Sequence, residues 1–130
     1  MPVNYKRDDH REHTEIAIVG AFDASEVLAC VEQHRSAGYW HYRVLYDLRY
    51  MTGPPTMDTL RDFARTLEPR SGEPPRGPVA IVTIDPVMYS RACAYASMVE
   101  GLASIHVFTD RAEADTWLER AFRRVTAHEL

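Results

Sequence analysis

The chain has 130 residues, the size of a single domain. Its hydrophobic content of 45% and charged content of 26% are ordinary for a globular protein. Its net charge of −4 argues against electrostatic binding of nucleic acids or anionic membranes. No apolar run approaches the ~18 residues of a membrane span, so no such span is expected.

The amino-terminal part predicts a β-hairpin followed by a helix. Residues Val3 to Arg7 alternate weakly, as in a short edge strand, and Glu15 to Gly20 form a more apolar strand. Asp23 precedes Glu26 by three residues, which is the spacing of a capping box. We therefore expect a first helix to begin there and to end before Gly38.

The middle of the chain predicts a buried strand, a loop and a second helix. The segment from Tyr42 to Leu48 is almost continuously apolar, as a strand covered on both faces should be. A loop with Gly53 follows, and Thr56 is a suitable cap for the next helix. The apolar stripe expected on that helix comprises Met57, Leu60, Phe63, Ala64 and Leu67.

Residues 69–78, PRSGEPPRGP, predict a mobile surface loop. A linker between two domains is excluded because neither half of the chain could bury a core of its own. The most apolar strand, Val79 to Ile84, is expected to lie centrally in the sheet. Asp85 then caps a third helix, which extends from Val87 to about Glu100. A strand from Ser104 to Phe108 and a terminal helix complete the pattern.

The predicted order of elements over residues 1–130 is β-β-α-β-α-β-α-β-α. Strands joined by a helix are expected to lie parallel, with right-handed crossovers and with helices on both faces of the sheet. The sequence therefore predicts one layered α/β domain. Its core would be a central, mostly parallel five-stranded sheet with four helices.

Four segments resemble a known family: GAFDASEV, RVLYDLRYMTG, GPVAIVTIDP and IHVFTDRAEADTWL. From Thr14 onward the chain is similar to bacterial STAS-like domains of the anti-sigma-factor antagonist (SpoIIAA-like) family, which are related to Sec14-like domains. The resemblance implies a STAS-like fold. It also implies a non-enzymatic regulatory or protein-binding module with an unidentified protein partner, although a shared fold says less about function than about structure.

The resemblance further implies a phosphoacceptor at the start of the helix after the middle strand. Regulatory STAS domains carry there a serine or threonine that a partner kinase phosphorylates. The nearest matches are Thr52 and Thr56, but the usual Asp-Ser-Ser-Gly or Asp-Ser-Thr-Gly motif is absent. The free N–H groups and the dipole of a helix start favour such a phosphate. A plain loop with a helix cap explains the same residues more simply, since every helix needs a cap.

The predicted partner or ligand surface lies at the carboxyl ends of the strands, where α/β proteins bind ligands. Tyr89 and Arg91, in the first turn of the third helix, either face a ligand held near the loop or form a solvated helix face. Asp47 is placed at the end of the middle strand. The full set of predicted surface residues is Asp47, Thr52, Gly53, Thr56, Tyr89 and Arg91.

Aromatic residues crowd the start of the middle strand. Tyr39, Trp40 and Tyr42 either cap the core from below or form an exposed patch for a partner or a second copy. A homodimer would also cover the early edge strand, whose unpaired backbone groups need protection.

An alternative function is the binding of a small apolar ligand or lipid. The pocket for it would lie beneath the second and third helices. Its predicted lining comprises Met57, Leu60, Met88 and Tyr95.

No pattern in the sequence predicts catalysis. The chain has no Gly-x-Ser-x-Gly, no Walker loop and no dinucleotide-binding glycine motif, so we expect no enzyme and no cofactor. His10 and His13 stand near two aspartates. They lie in a predicted turn without the four fixed ligands of a structural metal site, so no metal is expected.

The two cysteines favour a reducing setting. Cys30 and Cys93 both fall within helical patterns, as small buried residues rather than as a disulfide pair. The segment MPVNYKRDDH lacks the apolar core of a signal peptide. We therefore expect the protein to be cytoplasmic.

Overall fold

The computed structural model describes the backbone of residues 3–129 and the side chains of residues 3–123. Its elements follow the predicted order β-β-α-β-α-β-α-β-α. They are β1 (Val3–Asp8), β2 (His13–Ala21), α1 (Ala24–Ser36), β3 (Arg43–Thr52), α2 (Met57–Arg65), β4 (Val79–Val82), α3 (Pro86–Met98), β5 (Ile105–Phe108) and α4 (Arg111–Glu129).

The five strands form one mixed sheet in the spatial order β1-β2-β3-β4-β5. Strand β1 is antiparallel to β2, and the remaining neighbours are parallel. Each parallel strand lies next to the strand that precedes it in the sequence. Because the three connections all run in the same direction across the sheet and have the same hand, their helices α1, α2 and α3 lie on one face. The predicted mostly parallel sheet with four helices is confirmed.

The two faces of the sheet are covered unequally. Val27 of α1 and Met88 of α3 pack with Ile16, Val44 and other strand residues in one apolar cluster. On the opposite face, among the residues that the structure describes, α4 alone supplies helix residues to the core, through a second cluster that includes Leu118. All four residues of β4 are buried because this strand is covered on both faces.

Strand β3 is longer than the sequence predicts. The prediction that it ends at Leu48 is wrong, since the strand continues to Thr52. Its pairing with β2 shifts between two neighbouring pairs, from Ala17 with Asp47 to Val19 with Tyr50. Strand β3 therefore carries one extra residue at this point, which is a β-bulge.

Arg35 of α1 holds the loop of residues 69–78 against the helices. Its side chain is only 2% exposed and pairs with Glu73 at 2.6 Å. The same guanidinium donates to the carbonyl oxygens of Thr66 and Glu68. The loop has no helix or strand, as expected, but these buried bonds fix its course.

Gly77 brings the end of this loop into contact with the start of β3. Its N–H donates to the carbonyl oxygen of Trp40 at 3.0 Å. A Cβ atom on Gly77 would lie 2.2 Å from the carbonyl oxygen of Tyr42. Because the obstructing atoms belong to the backbone, only glycine permits this approach.

We expect Gly77→Ala to lower the free energy of unfolding by about 2–4 kcal/mol, because the new methyl group must push the loop away from β3. Urea denaturation measures this loss. Gly72→Ala is the matched control: its site is open but has a φ of +77°, so only backbone strain of about 1 kcal/mol is expected. Equal losses for the two variants would contradict the close-contact argument.

Candidate functional site

The loop between β3 and α2 lies at the carboxyl end of the sheet and is partly exposed. Gly53 adopts a left-handed φ of +66°, which turns the chain at the end of β3. Thr56 then caps α2, its Oγ1 accepting from the N–H of Thr59 at 3.2 Å. Pro55 is buried, whereas Thr52, Gly53 and Thr56 are exposed. The loop therefore exposes these three residues to solvent while its proline anchors it.

Arg91 of α3 fixes the position of this loop. Its Nη1 donates to the carbonyl oxygens of Pro54 and Pro55, at 3.2 and 2.9 Å. The structure thus brings Arg91 to the predicted loop, where its contacts are with backbone. Tyr89 lies in the first turn of the same helix and is 36% exposed.

Large apolar side chains are exposed on both sides of the loop. Tyr50 is 61%, Ile84 66% and Val87 50% exposed. They lie near the end of β3, just after β4 and in the first turn of α3, and therefore at the same end of the sheet. We call these three residues, with Thr52, Gly53, Thr56 and Tyr89, the carboxyl-end surface.

Asp47 does not belong to the carboxyl-end surface. It lies in the middle of β3, is 5% exposed and accepts two hydrogen bonds of 2.9 Å from Arg49. Arg111 at the start of α4 approaches it to 3.7 Å and also pairs with Glu15. The Arg49 guanidinium holds the pKa of the Asp47 carboxyl below its usual range. The prediction that Asp47 ends the strand is wrong because of the four further residues of β3 after Leu48.

An apolar cavity of about 90 Å³ lies between the sheet and helices α1 to α3. Three of the residues predicted to line it, Leu60, Met88 and Tyr95, do so. Met57 is not among its lining residues in the described part of the chain. The sequence therefore located this cavity nearly correctly from the apolar stripes of two helices.

Arg76 brings a positive charge to the wall of this cavity. Its Nε and Nη1 atoms are buried and have no hydrogen-bond partner among the described residues. The guanidinium carbon lies 3.9 Å from the centroid of the Trp40 ring. Burial lowers the pKa of the Arg76 guanidinium. Burial also raises the pKa values of Tyr46 and Tyr95, whose hydroxyl groups interact with Arg76.

Sequence analysis missed Arg76 because proline-rich loops normally leave arginine in water. The run PPRGP offered a signal in hindsight, since Arg76 is confined between Pro75 and the constrained Gly77. The unpaired donors of Arg76 become evident only in the folded structure, where the loop packs against Trp40.

The aromatic residues before β3 serve the core. Trp40 is 3% and Tyr42 7% exposed, so burial excludes both from an exposed patch of this chain. The Tyr42 hydroxyl donates to Asp9 at 2.9 Å. Of the three residues proposed for contact with a second copy, only Tyr39 is partly exposed.

His34 of α1 is buried beneath this aromatic cluster. It is 3% exposed, and its Nδ1 lies 2.7 Å from the Tyr5 hydroxyl. Burial lowers the pKa of His34 to about 4, and the charges of Arg76 and Arg7 act in the same direction. His34 is therefore neutral in the folded protein at neutral pH.

The remaining chemical features of the described residues concern metal ligands, thiols and membrane-spanning helices. Among them, no three His, Cys, Asp or Glu side chains are grouped to hold a metal ion. Cys30 and Cys93 are free thiols and half-buried. No helix in the described part of the chain is both long and apolar enough to span a membrane.

Comparisons with known proteins support the fold. No family model and no curated protein matches the chain. An uncharacterised protein of the DUF3478 family with a SpoIIAA-like fold, from Shewanella loihica, is 15% identical with a TM-score of 0.59. The alignment covers 89% of this chain and 91% of that one.

A second solved structure leads to the same conclusion. An anti-sigma factor antagonist from Mycobacterium paratuberculosis is 15% identical, with a TM-score of 0.57, over 90% of this chain and 94% of that chain. At this identity the likeness concerns the fold alone. The chain therefore has a SpoIIAA-like α/β fold, as the sequence predicted.

We expect stability to fall as the pH drops from 6.5, the ordinary pKa of histidine, to about 4, the pKa of folded His34. In this window the unfolded chain binds a proton that the folded chain excludes, which costs about 2–3 kcal/mol. Urea denaturation across this range measures the effect. Burial also lowers the pKa of His13, so this residue adds a smaller pH dependence of stability with the same sign. His34→Gln should therefore reduce the pH dependence, and an unchanged dependence would contradict the assignment.

Proposed function

We propose that this chain is a non-enzymatic regulatory or protein-binding module that docks its partner on the carboxyl-end surface. The observation that carries the proposal is the combination of exposed apolar side chains with a loop whose backbone Arg91 fixes. Apolar side chains exposed at a common end of the sheet favour an interaction site there. The anti-sigma factor antagonist that shares the fold adds support for a regulatory role.

The carboxyl-end surface has the properties that docking requires. A loop already held by hydrogen bonds loses little conformational entropy on binding. Tyr50 and Tyr89 are exposed aromatic side chains of the kind that dominate interface energies. Thr52 and Thr56 supply polar groups between them.

If phosphorylation regulates this surface, we expect Thr52 rather than Thr56 to be the phosphoacceptor. The Thr56 hydroxyl is already engaged, accepting from the Thr59 N–H and donating to the Thr59 hydroxyl. Phosphorylation there would remove the cap and place the new charge near Asp58, in the first turn of α2. Thr52 is exposed and its modification would leave the cap intact.

A second candidate function, the binding of a small apolar ligand, is supported by the cavity beneath α2 and α3. A cavity of about 150 Å³ is known to hold benzene. The 90 Å³ seen here is smaller, and a full lipid chain exceeds it. The cavity therefore favours a small ligand over a lipid.

We expect the protein to be bacterial and to be located in the cytoplasm, in line with its free thiols. We also expect a homodimer to cover the free edge of β1. Tyr39, close to that edge through its contact with Arg7, is the aromatic residue available for it.

The docking proposal is tested by two matched substitutions of exposed apolar residues. Val87→Arg lies on the carboxyl-end surface, whereas Leu102→Arg lies beyond the other end of α3. The partner is first captured from extracts of the native organism, identified by mass spectrometry and purified. Val87→Arg should weaken its binding by about 2 kcal/mol, measured by calorimetry, because a charge is then buried in the interface.

Leu102→Arg should leave the affinity of the partner unchanged. If both substitutions weaken binding equally, or if only Leu102→Arg does, the carboxyl-end surface is not where the partner docks.

The ligand-binding candidate is tested with xenon, a neutral apolar probe that enters dry protein cavities. Leu60→Trp should abolish binding because the larger ring fills the cavity that Leu60 lines. Leu60→Ile, which conserves volume, should retain it. The ¹²⁹Xe chemical shift measured against protein concentration reports binding. Equal binding by both variants would refute this use of the cavity.

A further inference from the structure

The charge of Arg76 is not neutralised within the described structure. Arg35, the other guanidinium near Trp40, forms an ion pair with Glu73. The ion pairs among the described residues do not include Arg76, and its Nε and Nη1 are buried without partners. Arg76 is half-buried as a residue, and a charge with two desolvated and unpaired donors is costly for the fold.

The neighbours of Arg76 relieve this cost only partly. The Trp40 ring attracts the guanidinium at 3.9 Å, but the same ring also lies 4.2 Å from Arg35. Tyr46 is a hydrogen-bonding neighbour of the guanidinium, and a neutral hydroxyl cannot cancel its charge. The surroundings thus stabilise a cation without supplying an anion.

Arg76 also stands between the cavity and the outside. An open groove of about 780 Å³ runs between the loop of residues 69–78 and the end of α3. Arg76, Leu67 and Ile105 line both the groove and the apolar cavity. A ligand that enters from the groove therefore meets the guanidinium first and the apolar space behind it.

We infer that the cavity binds a small monocarboxylate, with its carboxylate paired to Arg76 and its apolar tail between Leu60 and Met88. This inference rests on the second candidate function, the binding of a small apolar ligand, and specifies the chemistry of that ligand. Since about 150 Å³ holds the six carbons of benzene, 90 Å³ suits a tail of about three or four carbons.

The charges and donors at the site favour a carboxylate over other head groups. A guanidinium and two tyrosine hydroxyls, of Tyr46 and Tyr95, all donate hydrogen bonds to oxygen acceptors. An ammonium group would be repelled by Arg76. A phosphate would bring a second negative charge, and Arg35, the other cation whose charge acts on Arg76, is already paired with Glu73.

Butyrate, 1-butanol and butylammonium test the inference because each has an unbranched chain of four carbons and the three differ in charge. Binding to the wild-type protein is measured by calorimetry and thermal unfolding at neutral pH and constant ionic strength. Butyrate should bind with a Kd of about 1 mM, in keeping with its few atoms. At tenfold that concentration it should raise Tm by about 4 °C.

Butanol should bind at least about tenfold more weakly than butyrate, and butylammonium should not bind. If butanol binds as tightly as butyrate, the cavity takes apolar ligands but Arg76 does not select a carboxylate. If none of the three binds while xenon does, the carboxylate inference fails and the second candidate function stands. If xenon also fails to bind, both fail.

Arg76→Met separates a binding role from a structural one. It should abolish the butyrate response and leave the Tm of the free protein equal or higher, because an unpaired buried charge is removed. A lower Tm together with an unchanged butyrate response would overturn the inference. If Arg76→Met does not fold, the Arg76 Nε–H resonance of the wild-type protein serves instead: butyrate should shift it and butanol should not.

Discussion

The attachment of the loop of residues 69–78 to the three-helix side of the sheet governs much of this structure. Arg35 gathers Glu73 and two backbone carbonyl oxygens around one buried guanidinium. Gly77 then allows the loop to touch the start of β3. Together these contacts close one end of the helical layer and set Arg76 beside the cavity. Without them, Trp40 would lose its cover and the cavity its charged wall.

The two candidate functions occupy different parts of the molecule but depend on the same helices. Helices α2 and α3 begin at the carboxyl-end surface, and their inner faces supply Leu60 and Met88 to the cavity. Pro55 lies in the loop between β3 and α2, and it also lines the cavity. A ligand in the cavity would therefore pack against the inner side of the elements that present the docking surface. The two proposed functions would therefore share one set of helices.

The order of elements was predictable because local signals agreed with one another. The caps at Asp23, Thr56 and Asp85 all form as expected, and the apolar stripes lie inward. The end of β3 was not predictable, since the bulge keeps the polar Arg49 within a strand. Burial of the aromatic cluster and of Arg76 depends on contacts between residues far apart in sequence. The cavity was found from periodicity, whereas its charge required the folded loop.

The bulge in β3 interrupts the regular alternation of side chains at one position. Before it, Leu48 contributes to the core, and after it Met51 packs against the same cluster although the two are three residues apart. In an ungapped strand this separation would place them on opposite faces. A homologue lacking the extra residue would have these two core side chains two residues apart in a regular strand, with the aromatic side chain still outward and the methionine still inward. Alignments of this fold should therefore treat a single gap at Arg49 as the loss of the bulge, with the faces of the strand conserved on both sides of it.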